Sequence, residues 1–375
     1  MSHLKPKKIR GHTYWYVVQS RRINGKVKTA TLAYLGRADD VLARWQGIES
    51  PPDRLKSYSH GGVAVLLSLA DQLGIQELID QSCREPRPSR PTRRLLTAGQ
   101  TLLLAAIGRA LHPTSKRGWA AWGQATTVGQ LWGFDPAKIT SEFFWDQMDR
   151  LPAEALPAIQ TELARRVGQI FGLKIESLFY DVTNFFTFIA STNRHCDLPQ
   201  RGKNKQKRND LRQFQMGLLV SQDGWIPLLS ILFHGNRNDV TTFPQALPEI
   251  RRQCEQLGIP LEQVTLVCDK GNLSQANWQM LDSLPLGYVA SLVPSHYPEW
   301  SQRDLRDFQT VPVPDTGEVR CLRGQAEIAG KQRTLVVLDS PTLRAGQLRG
   351  LSQQLHPVMV GMSRIQQSLA QARRR

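Results

Sequence analysis

Cysteine is scarce in this sequence. The 375 residues contain five, namely Cys83, Cys196, Cys254, Cys268 and Cys321, and no two of them have the C-x-x-C spacing of a structural zinc site. An odd number of scattered cysteines is typical of reduced thiols in a cytoplasm. The pattern therefore argues against a disulfide-rich secreted domain and against a cysteine-based zinc module.

Long hydrophobic runs are also missing. The N-terminal stretch MSHLKPKKIRGHTYW has no apolar core of the kind that a signal peptide needs. The apolar run around Leu102–Ala106 is too short to span a bilayer. We therefore expect a cytoplasmic protein without a membrane partner.

Acidic residues are in short supply relative to basic ones. The chain has 48 Lys and Arg against 32 Asp and Glu, a formal net charge of +16. An excess of this size attracts polyanions, and nucleic acid is the first candidate; a basic protein with no such partner is the alternative. With 41% apolar residues the chain belongs to the globular class, and its length suggests two or three domains.

The sequence divides into three segments that differ in their hydrophobic patterns. In residues 1–56, two β-favouring runs flank Asn24-Gly25, which predicts a β-hairpin. In residues 57–172, apolar residues recur at helical spacing, which predicts a mostly helical domain containing an exposed Arg- and Pro-rich loop at 84–94. In residues 173–375, the order strand, hairpin, helix, strand, helix, strand predicts a mixed α/β layer.

Two aspartates stand in similar apolar strand sequences, Asp181 in LFYDVTNFFTF and Asp269 in VTLVCDKG. Adjacent strands of one sheet would bring their carboxylates side by side. A carboxylate buried in an apolar strand is costly, and two together repel unless a cation lies between them. Hard oxygen ligands suit Mg²⁺ or Mn²⁺. The alternative is that each aspartate only caps a turn or a helix.

Three motifs carry a resemblance. YDVTNFFTF is similar to a Y-D-x-T strand, and VTLVCDKGNLSQANWQML to an apolar-D-x-G-x-x-S strand and helix. Between them, residues 200–243 contain a basic R-G-x-S-K-x-x-R-x-D-L-like segment, a D-G-x-P-L-like hairpin and a G-N-x-x-D turn. In this order the motifs resemble the DDE-type transposases of bacterial insertion sequences. Weaker matches at 21–37 and 342–355 extend the resemblance over most of the chain.

The resemblance implies a fold and a chemistry. The fold would be an RNase H-like mixed sheet flanked by helices, preceded by the N-terminal hairpin unit and the helical domain, with a β-rich insertion at about 297–340. Asp181 and Asp269 would be catalytic and would hold Mg²⁺ or Mn²⁺ for cleavage and strand transfer at DNA phosphates. The partners would be the inverted-repeat ends of the element and target DNA in the bacterial nucleoid, and a homodimer is left open.

The basic segment 200–212 would contact phosphates. Such contacts make binding sensitive to salt but do not read bases. A merely solvated charged face is the alternative, and Asn236, Asn238 and Asp239 in HGNRNDV are interpreted as turn and cap residues. The predicted DNA-binding side chains are Arg201, Lys203, Lys205, Lys207, Arg208 and Arg212.

The sequence departs from the resembled family at the third acid. That acid is a Glu in a Y-x-x-R-x-x-x-E-type motif near the C-terminus, whereas Tyr297 is followed by PEWSQRD, and Glu318 and Glu327 lie in alternating or turn-rich sequence. We therefore expect the catalytic segment to be incomplete at its C-terminal end. The first hypothesis is an insertion-sequence transposase lacking this acid. The alternatives are a DNA-binding remnant or inhibitor without chemistry, and an RNase H-like nuclease outside transposition.

Overall fold

The computed structural model describes residues 2–23, 26–46, 56–84, 96–190, 192–314 and 317–372. The chain divides into two compact units. One consists of Met1–Leu69 and Ser89–Met148, and the other of Ala70–Pro88 and Asp149–Arg375. Each unit is described by itself. The three-segment division expected from the sequence stays a prediction.

The first unit begins with a three-stranded antiparallel sheet of β1 (Ser2–Ile9), β2 (His12–Ile23) and β3 (Lys26–Gly36). The pairing of Ile23 with Lys26 confirms the predicted hairpin, whose Asn24-Gly25 turn lies outside the described residues. Strand β1 is an addition that the sequence reading missed. The first 36 residues contain no Asp or Glu, so this sheet carries only cationic charges.

Helices follow the sheet, as predicted. Gly74 adopts a left-handed conformation (φ 60°), so the expected helical run between 60 and 82 is two helices rather than one. Thr97 caps α4 by accepting the backbone N–H of Gln100 at 3.0 Å. Apart from Arg84, the Arg- and Pro-rich segment 84–94 lies outside the described residues. As far as Met148, α3 and the end of α2 belong to the second unit and the other helices to the first. The helices are α1 (Ala38–Trp45), α2 (Gly61–Leu73), α3 (Ile75–Ser82), α4 (Ala98–Leu111), α5 (Trp119–Gln124), α6 (Val128–Leu131) and α7 (Ser141–Met148).

The second unit is built on a five-stranded sheet in the order β6-β5-β4-β7-β8. Strands β4, β5 and β6 pair antiparallel, whereas β7 and β8 run parallel to β4. This arrangement confirms the predicted mixed α/β layer. The strands are β4 (Ser177–Thr187), β5 (Arg212–Ser221), β6 (Pro227–His234), β7 (Thr265–Cys268) and β8 (Gly287–Ala290), and the helices are α8 (Leu156–Phe171), α9 (Asp239–Leu257), α10 (Gln275–Asp282) and α11 (Pro298–Ser301).

The core of this unit follows from strand alternation. Every second residue of β5 is buried, because successive side chains point to opposite faces of a sheet. Tyr180 on β4 packs against Phe243 on α9, with ring centroids 5.8 Å apart. The α9 face of the sheet therefore closes a core that also contains Leu219, Leu247 and Leu266.

A second, three-stranded sheet of β9 (Gln309–Val313), β10 (Gly317–Ile328) and β11 (Lys331–Asp339) follows. It agrees with the β-rich segment predicted at about 297–340. Arg333 on β11 makes two contacts with the Asp282 carboxylate, at 2.9 and 3.0 Å, and stacks over the Trp278 ring at 4.7 Å. This ion pair attaches the small sheet to the end of α10.

The last helix, α12 (Pro341–Ala372), is unlike the others because the described side chains along it are almost all exposed. It contains Gly346, Gly350 and Gly361, and Pro357 lies inside it. Each glycine costs about 1 kcal/mol and a helix-interior proline about 3 kcal/mol relative to alanine. Such a helix depends on packing for its stability.

In the described part of the chain, no single helix is long and apolar enough to cross a membrane. The bent pair α2 and α3 reaches that length and hydropathy only when the two helices are counted together.

Candidate active site

Asp181 and Asp269 lie on neighbouring strands, as predicted. In the parallel pairing of β4 with β7, Tyr180 is opposite Cys268; Asp181 is the next residue on β4, and Asp269 directly follows the end of β7. Both carboxylates therefore emerge at the same end of the sheet. They line one cavity of about 1290 Å³, together with Thr183 and Ser291.

The expectation that Asp181 is buried was wrong. Its side chain is exposed, although Leu178 and Tyr180 just before it are buried. The reason is strand alternation: Leu178 and Tyr180 point to the face of the sheet that α9 covers, whereas Asp181 points to the opposite face, where it lines the cavity. Asp181 Oδ1 accepts the backbone N–H of Val182 at 2.8 Å. Water, rather than a metal alone, can thus solvate the carboxylate.

Asp269 is held by a short chain of hydrogen bonds. Ser291 Oγ donates to Asp269 Oδ1 at 2.7 Å and accepts the backbone N–H of Lys270 at 2.9 Å. The Ser291 hydrogen bond lowers the pKa of the Asp269 carboxyl, and the Lys270 backbone and the positive charges of Lys270 and Lys205 lower it further, against an opposing effect of burial. Asp269 is therefore an anion at neutral pH, with its side chain fixed in one orientation.

A third carboxylate, Asp239, approaches this pair, and the sequence reading assigned it only to a turn or cap. Burial raises the pKa of the Asp239 carboxyl above its usual value, and the Asp181 charge adds to this increase. The Lys205 charge opposes the increase, and Asp269 adds a smaller one. The charges of both predicted catalytic acids therefore act on the Asp239 carboxyl and raise its pKa. Its G-N-x-x-D turn was the sequence signal that could have found it.

Hydrogen bonds connect the start of α9 to the turn that follows Asp269. Asn238 caps the helix by accepting the backbone N–H of Thr241 at 3.1 Å, which confirms the predicted capping role. The buried Asn277 donates from Nδ2 to the carbonyls of Val240 (3.0 Å) and Asn272 (2.6 Å). One amide group thus ties the first turn of α9, which carries Asp239, to the turn that carries Asp269.

The basic loop, residues 200–212, is anchored beside the same site by Gln213. This fully buried side chain donates from Nε2 to Gly235 O (2.8 Å) and Lys203 O (3.2 Å). Gly235 has to be glycine, because a Cβ there would lie 1.7 Å from Gln213 O. The hydrogen bonds of Gln213 and the close packing of Gly235 therefore hold the HGNRND turn against the basic loop.

The six predicted DNA-binding cations differ in how they are engaged. Arg208 makes a bidentate pair with Asp210 at 2.8 Å, and Arg212 Nη1 donates to Asn193 O at 3.0 Å. Lys205 is close enough to Asp239 and Asp269 to lower the pKa of both. Within the described residues, the cations of the loop without an ion pair are Arg201, Lys203, Lys205 and Lys207.

The donor groups suit a hard divalent cation. Asp181 and Asp269 present carboxylate oxygens, which Mg²⁺ and Mn²⁺ prefer. Cys268 lies next to Asp269 but is buried, and burial raises the pKa of its thiol to about 12, so no thiolate is available for a softer metal. Among the residues that the structure describes, however, no three His, Cys, Asp or Glu side chains are close enough to hold one ion.

Comparison with known families gives a match in the first unit. Residues 3–60 match the family described as IS1634 family transposase, N-terminal domain. No curated protein matches the chain. The family match supports an insertion-sequence transposase, and such a transposase binds DNA. It covers the N-terminal sheet and α1, so it leaves the site residues of the second unit untested.

Proposed function

We propose that the chain is a DDE-type transposase whose second unit is an RNase H-like catalytic domain. The observation that carries the proposal is the position of Asp181 and Asp269 at the same end of adjacent parallel strands, in a sheet with three antiparallel and two parallel strands. The family match of residues 3–60 supports the same function independently.

In this proposal, Asp181 and Asp269 hold Mg²⁺ or Mn²⁺. The bound ions would supply activation of water or a 3′-hydroxyl and neutralise charge at the scissile phosphate. Ser291 keeps the Asp269 carboxylate deprotonated and oriented through its 2.7 Å hydrogen bond. The basic loop holds the DNA backbone beside the acids, because Gln213 fixes it to the turn that precedes Asp239.

A metal-binding measurement tests the site without relying on activity. We expect Mg²⁺ to raise the thermal unfolding midpoint of the full chain, because a ligand that binds only the folded state stabilises it. Asp181→Asn and Asp269→Asn should each abolish the shift. Glu262→Gln is the matched control, because Glu262 is an exposed carboxylate just before β7, whereas Asp269 directly follows that strand. Equal shifts in all variants would refute the metal site.

A second candidate function is DNA binding without cleavage. It is favoured by the lack, within the described residues, of a three-ligand metal group, since an ion held by two carboxylates is loosely placed for phosphoryl transfer. A plasmid-nicking assay with Mg²⁺ or Mn²⁺ separates the two. Nicking that disappears in Asp181→Asn and Asp269→Asn supports the transposase chemistry. DNA binding with no nicking above background supports the second candidate.

A further inference from the structure

Buried oxygen atoms without a hydrogen-bond partner gather at the start of α9. In the described part of the chain, five buried side-chain nitrogen or oxygen atoms lack such a partner, and four of them are oxygens of the second unit. Buried polar atoms are nearly always paired, so four exceptions in one unit need a common explanation. The four atoms are Tyr180 Oη, Gln213 Oε1, Gln215 Oε1 and Asn272 Oδ1.

Three of these oxygens belong to side chains on the face of the sheet that α9 covers. Gln213 and Gln215 are alternate residues of β5, so both point to this face, and both are almost fully buried. Tyr180 packs on Phe243 of α9. A Cβ at Gly217, the next residue of β5 on this face, would lie 2.5 Å from the Tyr180 hydroxyl oxygen. The hydroxyl therefore lies beside the Gln215 side chain.

The turn that leads into α9 holds both glutamine amides. Gln213 Nε2 donates to Gly235 O at 2.8 Å, and Gln215 Nε2 donates to Arg237 O at 3.0 Å. Because a carbonyl oxygen can only accept, these contacts fix which atom of each amide is the nitrogen. The unpartnered atoms are therefore the two oxygens, and they lie close to Asp239, the first residue of α9.

The carboxylate of Asp239 completes this group. It is half-buried, and no hydrogen bond or ion pair within the described residues reaches it. A Cβ at Gly271 would lie 3.1 Å from Asp239 Oδ2, so the carboxylate is in contact with the residue just before Asn272. Burial raises the pKa of the Tyr180 hydroxyl, and the nearby Asp239 charge raises it further. Asp239 is therefore close to both Tyr180 and Asn272.

We propose that these five side chains form a binding site for one monovalent metal cation, K⁺ or Na⁺, between the sheet and the start of α9. The cation would be the common partner of the four buried oxygens and would offset the burial of the Asp239 carboxylate. The inference does not depend on the proposed function, because neither Asp181 nor Asp269 is a ligand.

The ligand set favours a singly charged ion over Mg²⁺. Four of the five side chains supply a neutral amide or hydroxyl oxygen, and only Asp239 supplies a charge. Neutral carbonyl oxygens replace the hydration shell of K⁺ in channel proteins, whereas Mg²⁺ gives up its water reluctantly and is held by carboxylates and phosphates. The positive charge of Lys205 also acts on Asp239, so the site is only weakly negative.

A cation at this position would stabilise the surroundings of the acids. It would join β4, β5, the start of α9 and the turn after Asp269. Gln213, one of its ligands, also donates to Lys203 O at 3.2 Å and so attaches the basic loop to the same place. The loop and the turn would then be most rigid when the cation is bound.

The test is thermal unfolding of the full chain in the chloride of K⁺, Na⁺ or choline at equal ionic strength, with EDTA present to remove divalent ions. Choline is too large for such a site and serves as the reference. We expect K⁺ or Na⁺ to raise the unfolding midpoint by roughly 2–4 °C over choline, because a ligand that binds only the folded state stabilises it.

Two variants each remove one ligand. Tyr180→Phe and Asp239→Asn should abolish the difference between the metal cation and choline. Asp239→Asn also removes a half-buried charge, so its midpoint in choline should rise while the difference disappears. The matched controls, Tyr297→Phe and Asp307→Asn, remove the same groups elsewhere in the second unit and should keep the difference.

Asp181→Asn separates this site from the proposed Mg²⁺ site, because it should keep the K⁺ or Na⁺ difference. Loss of the difference in that variant would place the cation at the acid pair and overturn the inference. Equal midpoints of the unaltered chain in all three salts would also overturn it and leave water as the partner of these oxygens. So would a difference that survives in Tyr180→Phe and Asp239→Asn, or that is lost equally in the controls.

If the two ligand variants fail to fold, crystals of the unaltered chain soaked in Tl⁺ decide. Tl⁺ replaces K⁺ at oxygen sites and scatters X-rays anomalously. An anomalous peak among the five side chains would support the site, and the lack of a peak there would overturn it.

Discussion

Neutralising the four loop cations without an ion pair should flatten the salt dependence of DNA binding. The perturbation replaces Arg201, Lys203, Lys205 and Lys207 by glutamine. Each lost phosphate contact lowers the slope of log affinity against log salt by about 0.9, so four contacts lower it by about 3.6. Between 50 and 200 mM salt, the unaltered chain should then lose about 150-fold more affinity than the variant.

The structure sets the number of contacts in this prediction. Six cations were predicted from the sequence, but Arg208 is engaged by Asp210 and Arg212 by the Asn193 carbonyl. The assay is fluorescence anisotropy of a labelled duplex over a salt series. The matched control removes four exposed cations elsewhere in the second unit, namely Lys174, Arg303, Arg323 and Arg364. Equal slopes in the two variants would show that the basic loop is only a solvated face.

Three further predictions concern the surroundings of the site. Asn277→Ala should lower the free energy of unfolding in urea by roughly 1–3 kcal/mol, because the Asn272 carbonyl loses its donor in a buried contact and the Val240 carbonyl loses its donor in a partly buried one; an unchanged free energy of unfolding would contradict the role of Asn277 in joining α9 to this turn. Asp239→Asn should raise the urea midpoint at pH 7 but not below pH 3.8, the usual pKa of Asp. A raised folded-state pKa contributes stability that is lost as pH rises through it, so the ionised carboxylate is the destabilising form; an equal effect at both pH values would refute this. A thiol reagent should label the exposed Cys196 in the folded chain but not Cys254 or Cys268, since burial raises the pKa of those thiols to about 11 and about 12; rapid labelling of either would contradict their burial.

The local elements of the second unit were largely readable from sequence. The D-G-x-P-L-like hairpin and the cap at Asn238 are confirmed, and α9 ends at the left-handed Gly258. Each depends on residues close together in the chain, namely turn residues, a left-handed glycine and a side-chain cap. Strand β1 was missed, because its sequence is charged and contains Pro6.

The sequence by itself determined which strands carry the two acids, because an aspartate that follows an apolar run is a local pattern. Only the tertiary structure decided how these acids are surrounded. Asp181 and Asp269 emerge at the same end of the sheet because Tyr180 pairs with Cys268, and that register is set between segments more than eighty residues apart. Asp239 is near enough to the pair for their charges to raise its pKa, and Asn277 joins the start of α9, which carries Asp239, to the turn after Asp269. Periodicity within one segment carries no information on which distant carbonyl a buried amide will bind, so this part of the site depended on the fold.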